Sequence, residues 1–199
     1  MQEQPISEQE SLQIIRQMIA TAKQEQKDDG MGWILWGWLL FAGSTLSFLN
    51  QFTRWVNDFF FWNLFGFLSL IMLVAGLVRS VRPRTTQRVR TYTNELYSKL
   101  NVGFFMTLIL IIVSINVGVR PSLGFGLLLA LYGFWMLIYG ALMHFRPSVA
   151  GAWINWALAL ATLLAGDFKW AMLFHAVAVL AGYIVPGHMA YAQFKRGQE

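Results

Sequence analysis

Long apolar runs separated by short polar segments dominate the chain from residue 31 to residue 190. Uncharged stretches of about 20 residues recur, and a helix of that length spans the hydrocarbon core of a bilayer. The pattern predicts an all-α, polytopic membrane helix bundle with six transmembrane helices. The predicted spans are 31–49, 59–78, 102–119, 123–145, 149–165 and 170–190.

Residues 1–30 are polar and predict a cytoplasmic amphipathic helix over about residues 8–28. Ser7 and Glu10 have the spacing of a capping box. Apolar side chains then follow at steps of three and four: Leu12, Ile15, Ile19 and Ala22. Acidic residues outnumber basic ones here, whereas helices that lie on anionic lipid are usually rich in Lys and Arg. We therefore favour packing against protein, within the chain or on a partner, over a lipid surface.

The segment 79–101 predicts a basic cytoplasmic loop. It contains six of the 15 Lys and Arg residues: Arg79, Arg82, Arg84, Arg88, Arg90 and Lys99. Loops of this kind stay on the cytoplasmic side of a membrane. With the N-terminus inside, twelve of the 15 basic residues lie in cytoplasmic segments, including the tail 191–199. This predicts cytoplasmic N- and C-termini, with the five arginines positioned to contact anionic lipid headgroups.

Composition narrows the class of protein further. Only 13% of the residues are charged, about half the share in a soluble domain, so the expected partner is the lipid bilayer. The net charge of +5 is explained by topology and does not indicate nucleic-acid binding. There is no Cys, which excludes disulfides and thiolate chemistry.

Small residues predict where the helices touch, because in lipid they allow helix backbones to approach closely. Span 4 has three glycines seven residues apart, and spans 5 and 6 have small residues at four-residue steps. The candidate packing residues are Gly126, Gly133, Gly140, Ala157, Ala161, Ala165, Ala178 and Gly182. Spans 4, 5 and 6 should therefore form the tightly packed part, and spans 1 and 2 should face lipid or another subunit.

Pro186 and Gly187 interrupt span 6 near its inner end. Proline removes an intrahelical hydrogen bond, so we expect a hinge or a helix stop and favour the stop. Span 3 is also short. Five full spans with one re-entrant segment therefore remain an alternative to six.

The predicted spans contain few residues able to act in catalysis or in ion binding. No Asp, Glu, Lys or Arg lies at the centre of a predicted span, which argues against a pump built on buried carboxylates. Asn155 and the other polar residues inside the spans, Ser44 among them, are explained by interhelical hydrogen bonding, and Trp135 either fills space beside small residues or lines a lipid-exposed groove. No catalytic motif is recognisable, and no enzyme activity is predicted.

The roles of the three histidines are the main open point of the sequence. His144 and His188 close spans 4 and 6 near the inner surface, whereas His175 lies near the outer side. Three readings are open for the first two: interfacial side chains, a ligand contact, or a facing pair that holds haem or a metal. We favour the first reading and predict no cofactor.

The acidic Ser-Glu-x-Glu-Ser-Leu opening, the following GWILWGWLLF and the Tyr-Ile-Val-Pro-Gly-His stretch at 183–188 resemble a group of small bacterial six-span inner-membrane proteins. The resemblance covers the whole length loosely and implies a bacterial inner-membrane setting. It implies no activity and no site residues.

The leading functional expectation is a non-enzymatic integral membrane protein that assembles with a partner or with itself through residues 8–28 and the loop after span 2. The alternative is a small transporter or channel with a path between spans 4 and 6. An enzyme acting on lipid ranks third.

Overall fold

The computed structural model describes residues 30–81 and 92–196, and these residues form α-helices joined by short turns, with no strand among them. The helices are α1 (Met31–Thr53), α2 (Phe60–Val81), α3 (Tyr92–Asn116), α4 (Pro121–Leu142), α5 (Arg146–Ala165), α6 (Phe168–Val179) and α7 (Val185–Arg196). A π-helical turn, Leu180–Ile184, joins α6 to α7 without a break. The all-α prediction is confirmed, while the helix predicted over residues 8–28 lies outside the described residues.

The helices are those of a membrane protein. Among the described residues, five continuous helices are long and apolar enough to cross a bilayer, and α2 adds a shorter apolar stretch at Phe60–Ser69. The predicted basic loop is too long at both ends, because α2 continues to Val81 and α3 begins at Tyr92. Its second half is part of α3 itself, because the helical spacing of its apolar residues runs directly into span 3. Span 3 in turn ends earlier than expected, at Asn116.

The expected helix stop at Pro186 is wrong. The helix runs on through Pro186 to Arg196, and the irregularity lies just before the proline. Val185 donates its backbone N–H to the carbonyl of Leu180, five residues back. In a regular α-helix the proline ring would press on the carbonyl of Gly182. The wider π turn accommodates the ring without ending the helix.

Residues with special backbone geometry set the ends of the helices. Pro121 opens α4, where a missing N–H costs nothing. His144 ends α4 with a left-handed φ of 52°, and the Phe145 N–H donates to the Gly140 carbonyl at 2.8 Å. This is the Schellman arrangement, in which glycine is the usual residue at the left-handed position. Asp167 caps α6 by accepting from the Lys169 N–H at 3.1 Å.

The core lies between α1, α4, α5 and α6. Its buried side chains are Leu40, Phe125, Leu128, Leu129, Tyr132, Met136, Ala152, Ala159, Ala171, Met172, Ala178, Val179 and Tyr183. α1 runs antiparallel to the last long helix, with Ile34 beside Gly187 at one end and Phe52 beside Lys169 at the other. α2 packs on α1, and α3 packs on α4. The first span is therefore part of the packed bundle, whereas α2 and α3 lie at its edge.

Candidate functional site

A buried serine–histidine pair joins α1 to α6. The side chains of Ser44 and His175 are completely buried, and Ser44 Oγ lies 2.8 Å from His175 Nδ1. Gly37 lets α1 approach this closely, since a Cβ there would lie 3.0 Å from Tyr183 Cβ and 2.9 Å from Ile184 Cγ1. The two helices are thus held together by a polar contact deep in an apolar core.

The hydrogen bonds of this pair fix the tautomer of His175. Ser44 Oγ also lies 2.7 Å from the carbonyl oxygen of Leu40, one turn back in α1. Two oxygen atoms at that distance need a proton between them, and a serine hydroxyl has only one. Ser44 therefore donates to Leu40 and accepts from a protonated His175 Nδ1. The other ring nitrogen, Nε2, is left with a lone pair.

Aromatic rings enclose the imidazole. The ring centroids of Trp62, Phe125 and Tyr132 lie 5.1, 5.8 and 5.7 Å from that of His175, with interplanar angles of 90°, 86° and 69°. Edge-to-face packing of this kind is favourable for aromatic pairs. Trp62 is positioned by its Nε1–H, which donates to Met172 Sδ at 3.0 Å. Within the described residues, His175 Nε2 is buried and has no hydrogen-bond partner.

A second buried polar centre lies one turn further along the last helix. Asn155 of α5 donates its side-chain amide to the carbonyls of Gly151 at 2.9 Å and Ala178 at 3.2 Å. The second bond reaches the backbone two residues before the π turn. Gly182 is required here, because a Cβ at that position would lie 2.5 Å from Asn155 Nδ2. Asn155 Oδ1 is buried and, among the described residues, unpartnered.

The glycines of α4 lie against α5. A Cβ at Gly126 would lie 2.7 Å from Leu163 Cδ2, and one at Gly140 would lie 2.7 Å from Val149 Cγ2. At Gly133 the neighbour is the Trp156 indole, also at 2.7 Å. The indole Nε1–H donates to the carbonyl of Ala130 at 3.0 Å. One face of α4 therefore lies close to α5 over the whole length of the stripe.

The predicted alanine stripe of α5 lies elsewhere. Ala157 and Ala165 are exposed, so their assignment to the helix contact is wrong, whereas Ala161 is half-buried. The buried face of α5 instead consists of Ser148, Gly151, Ala152, Asn155, Ala159 and Thr162. Each residue turns a helix by about 100°, which places Ala157 on nearly the opposite side from Asn155. In the last helix, Ala178 and Gly182 are both buried.

The other candidate functional residues that the structure describes lie apart from one another. His144 and His188 are exposed, and the described residues contain no group of three or more His, Cys, Asp or Glu side chains able to hold a metal. Trp135 is buried and its ring lies against that of Phe104 of α3, with centroids 4.9 Å apart and an interplanar angle of 33°. Trp135 therefore anchors α3 and does not line a groove. Arg79 lies within α2, whereas the other four arginines of the predicted headgroup contact, Arg82, Arg84, Arg88 and Arg90, fall outside the described residues.

Sequence reasoning missed the Ser44–His175 pair. The sequence places His175 near the outer side of the membrane and predicts for Ser44 only a general role in interhelical hydrogen bonding, with no named partner. One signal was present: a histidine inside a predicted span is uncommon and marks a functional position by default. Its partner is 131 positions away in the chain and could not be identified from spacing.

The comparisons with other proteins give no family. No model of a protein family, no curated protein and no solved structure matches the chain.

Proposed function

We propose that the chain is a six-span protein of the bacterial inner membrane with both termini in the cytoplasm. Six crossings combine the five long apolar helices with α2, whose 22 residues, Phe60–Val81, are long enough to span. The orientation rests on the positive-inside distribution of Lys and Arg. Cysteine-accessibility labelling would test it, since the natural chain has no cysteine. Single cysteines at Asp58 and Asp167 should react from the periplasm, and a cysteine at Gln193 should not.

We propose further that its function is non-enzymatic assembly with a second copy or a partner membrane protein. The supporting observation is that α2 and α3 lie at the edge of the packed bundle and leave much of their surface uncovered. None of the 18 residues of Lys99–Asn116 in α3 is buried. A Cβ added at Gly66 of α2 or Gly103 of α3 would meet nothing within 4 Å in the described part of the chain. Small residues on membrane helices favour close approach of another helix.

Polar side chains on the exposed face of α3 are already satisfied within the helix. Thr107 and Ser114 donate to the carbonyls of Gly103 and Leu110, four residues back, at 2.9 and 2.7 Å. Such a face tolerates lipid and also packs against another helix without leaving polar groups unpaired. In this proposal residues 8–28 and the basic segment after α2 provide additional cytoplasmic contacts, and the arginines there bind anionic headgroups.

The test is the mass of the purified full-length protein in mild detergent, measured by light scattering with the detergent contribution removed. A multimer, or one stoichiometric co-purifying protein, is expected, and Gly103→Leu should dissociate it. Gly32→Leu is the matched control, because Gly32 lies within α1, outside α2 and α3, and a Cβ there also meets nothing within 4 Å in the described part of the chain. A monomer with no partner refutes the assembly proposal.

A small transporter or channel with a path between spans 4 and 6 is the second candidate. The observation that favours it is the pair of unpartnered atoms, His175 Nε2 and Asn155 Oδ1. Polar atoms buried in a membrane protein without partners are costly and are often retained for a substrate or an ion. Deleting residues 1–28 separates the two functions, since an assembling protein should lose its partner whereas a transporter should keep its transport.

A further inference from the structure

The strongest unexplained feature of the described part of the molecule is the buried ring nitrogen Nε2 of His175, which has no hydrogen-bond partner there. Its Nε2 carries a lone pair, since Nδ1 holds the proton that bonds to Ser44. Both the imidazole and this nitrogen are buried, and no described residue bonds to the nitrogen. A buried acceptor without a donor costs about 1–3 kcal/mol. The hydrogen bond between Nδ1 and Ser44, on the opposite side of the ring, holds this acceptor in a fixed orientation.

The surroundings define the chemistry of a matching ligand. It must donate a hydrogen bond, because Nε2 accepts. It should be neutral, because the groups against His175 are the Ser44 hydroxyl and the rings of Trp62, Phe125 and Tyr132. It should also be flat and apolar apart from its donor, since aromatic walls favour stacking or edge-to-face contact with another ring.

Trp62 covers the site from the side of α2. It is only partly buried, and its indole N–H is bonded to the Met172 thioether, which is a weak acceptor. Neighbouring side chains of α2, including Leu64 and Phe67, are exposed. An element with few buried contacts opens at a lower free-energy cost than the core. The Trp62 ring is therefore the part of the enclosure that can move with the least loss.

We propose that Ser44 and His175 form an intramembrane binding site for a neutral hydroxyl-bearing aromatic molecule of the phenol or quinol class. The ligand hydroxyl donates to His175 Nε2 and its ring displaces the Trp62 indole. The site goes beyond both functions proposed above, since a bound ligand regulates an assembling protein as readily as it serves a transporter as cargo. It depends on neither the number of spans nor the oligomeric state.

The test uses nitrogen-15 NMR of the full-length protein in lipid nanodiscs, labelled at its three histidines. The probe is para-cresol, and toluene is the matched compound without a hydroxyl. His144→Gln and His188→Gln, both at exposed positions, assign two of the signals and leave the third to His175. The free protein should show Nδ1 protonated and Nε2 as an unbonded, pyridine-type nitrogen.

Para-cresol should then shift the His175 Nε2 signal in a saturable way, whereas toluene should not, and the exposed histidines should not respond. Ser44→Ala should weaken binding by about tenfold, because the tautomer is no longer fixed by a hydrogen bond. Ser114→Ala is the control, since Ser114 makes the same bond to the carbonyl four residues back but lies on α3. Trp62→Ala should tighten binding, and Trp38→Ala, at an exposed position of α1, should not.

Several results overturn the proposal. An Nε2 signal that is already hydrogen-bonded and unchanged by para-cresol identifies a resident water instead of a ligand site. Equal shifts with toluene show unspecific partitioning into the bundle. A proton on Nε2 in the free protein contradicts the assigned tautomer. Each outcome is read from the wild-type protein, and the two histidine variants serve only to assign its signals.

Discussion

The contact between α4 and α5 allows a quantitative test at Gly133. A Cβ at this position would lie 2.7 Å from Trp156 Cδ1 and Nε1 and 3.0 Å from the carbonyl oxygen of Ala152. Non-bonded carbon atoms prefer about 3.5–4.0 Å, so a leucine would force the helices apart by roughly 1 Å. The carbonyl cannot turn aside as a flexible side chain can. Gly126 and Gly140 extend the contact to either side, so the separation would spread along the whole helix pair.

The expected cost of Gly133→Leu combines three effects. Overpacking of a well-packed core costs about 1–3 kcal/mol, and a leucine at a backbone contact belongs at the upper end. Displacing Trp156 would break its hydrogen bond to Ala130, a loss of about 1 kcal/mol. Leucine has the better helix propensity by just under about 1 kcal/mol. The net loss is about 3 kcal/mol, equivalent to a melting temperature lower by about 6–12 °C.

Thermal unfolding in mild detergent, followed by circular dichroism, measures this loss. Gly32→Leu is the matched control, because a Cβ there meets nothing within 4 Å in the described part of the chain, and its melting temperature should be unchanged or slightly raised. Leu110→Ala on the exposed side of α3 should also have little effect. If the Gly133→Leu variant melts at the same temperature as the Gly32→Leu variant, the account of the α4–α5 contact is refuted.

Three further predictions use the same measurement. His144→Gly should raise stability by up to about 1 kcal/mol, because the left-handed conformation strains any residue with a Cβ, whereas His188→Gly, inside α7, should lower it by a similar amount. Asn155→Ala should cost about 2–3 kcal/mol, because it removes the buried hydrogen bonds from the Asn155 amide to the carbonyls of Gly151 and Ala178. Asp167→Ala should cost about 1 kcal/mol through the lost helix cap, and Asp167→Asn should retain most of that stability. A change of the opposite sign in any of these contradicts the corresponding contact.

Much of the fold can be predicted from the sequence, because each helix and each turn is determined by residues that are close together in the chain. Apolar runs of sufficient length give the helices, and glycine, proline and charged residues give the turns between them. Local pattern failed at Pro186, because it does not show that α1 and α5 pack against the last helix on either side of the proline. At Gly187 a Cβ would lie 3.1 Å from the Ile34 backbone nitrogen, a contact between distant parts of the chain.

The candidate site was harder to predict than the fold. Spacing within one helix correctly groups Gly126, Gly133 and Gly140 on a face, since periodicity is an intrahelical property. It does not identify which face of α5 meets them, and the regular Ala157–Ala161–Ala165 series pointed to the wrong one. His175 and Ser44 meet only through the antiparallel register of two helices that are more than a hundred residues apart in the chain.

The π turn at Leu180–Ile184 also makes the last helix tolerant of a change in chain length at a single point. A π turn contains one residue more than the α-helical turn it replaces, so it absorbs that residue without changing the face that the helix presents beyond it. Removing one residue from this turn would leave a regular α-helical turn and keep Pro186 and Gly187 beside α1, but the proline ring would then press on the carbonyl four residues back. Removing one residue from α7 beyond Gly187 would instead rotate everything that follows by about 100°. One codon in the π turn thus decides how well the proline fits, while the phase between the half of the helix that carries His175 and the half that leads to the C-terminus stays the same.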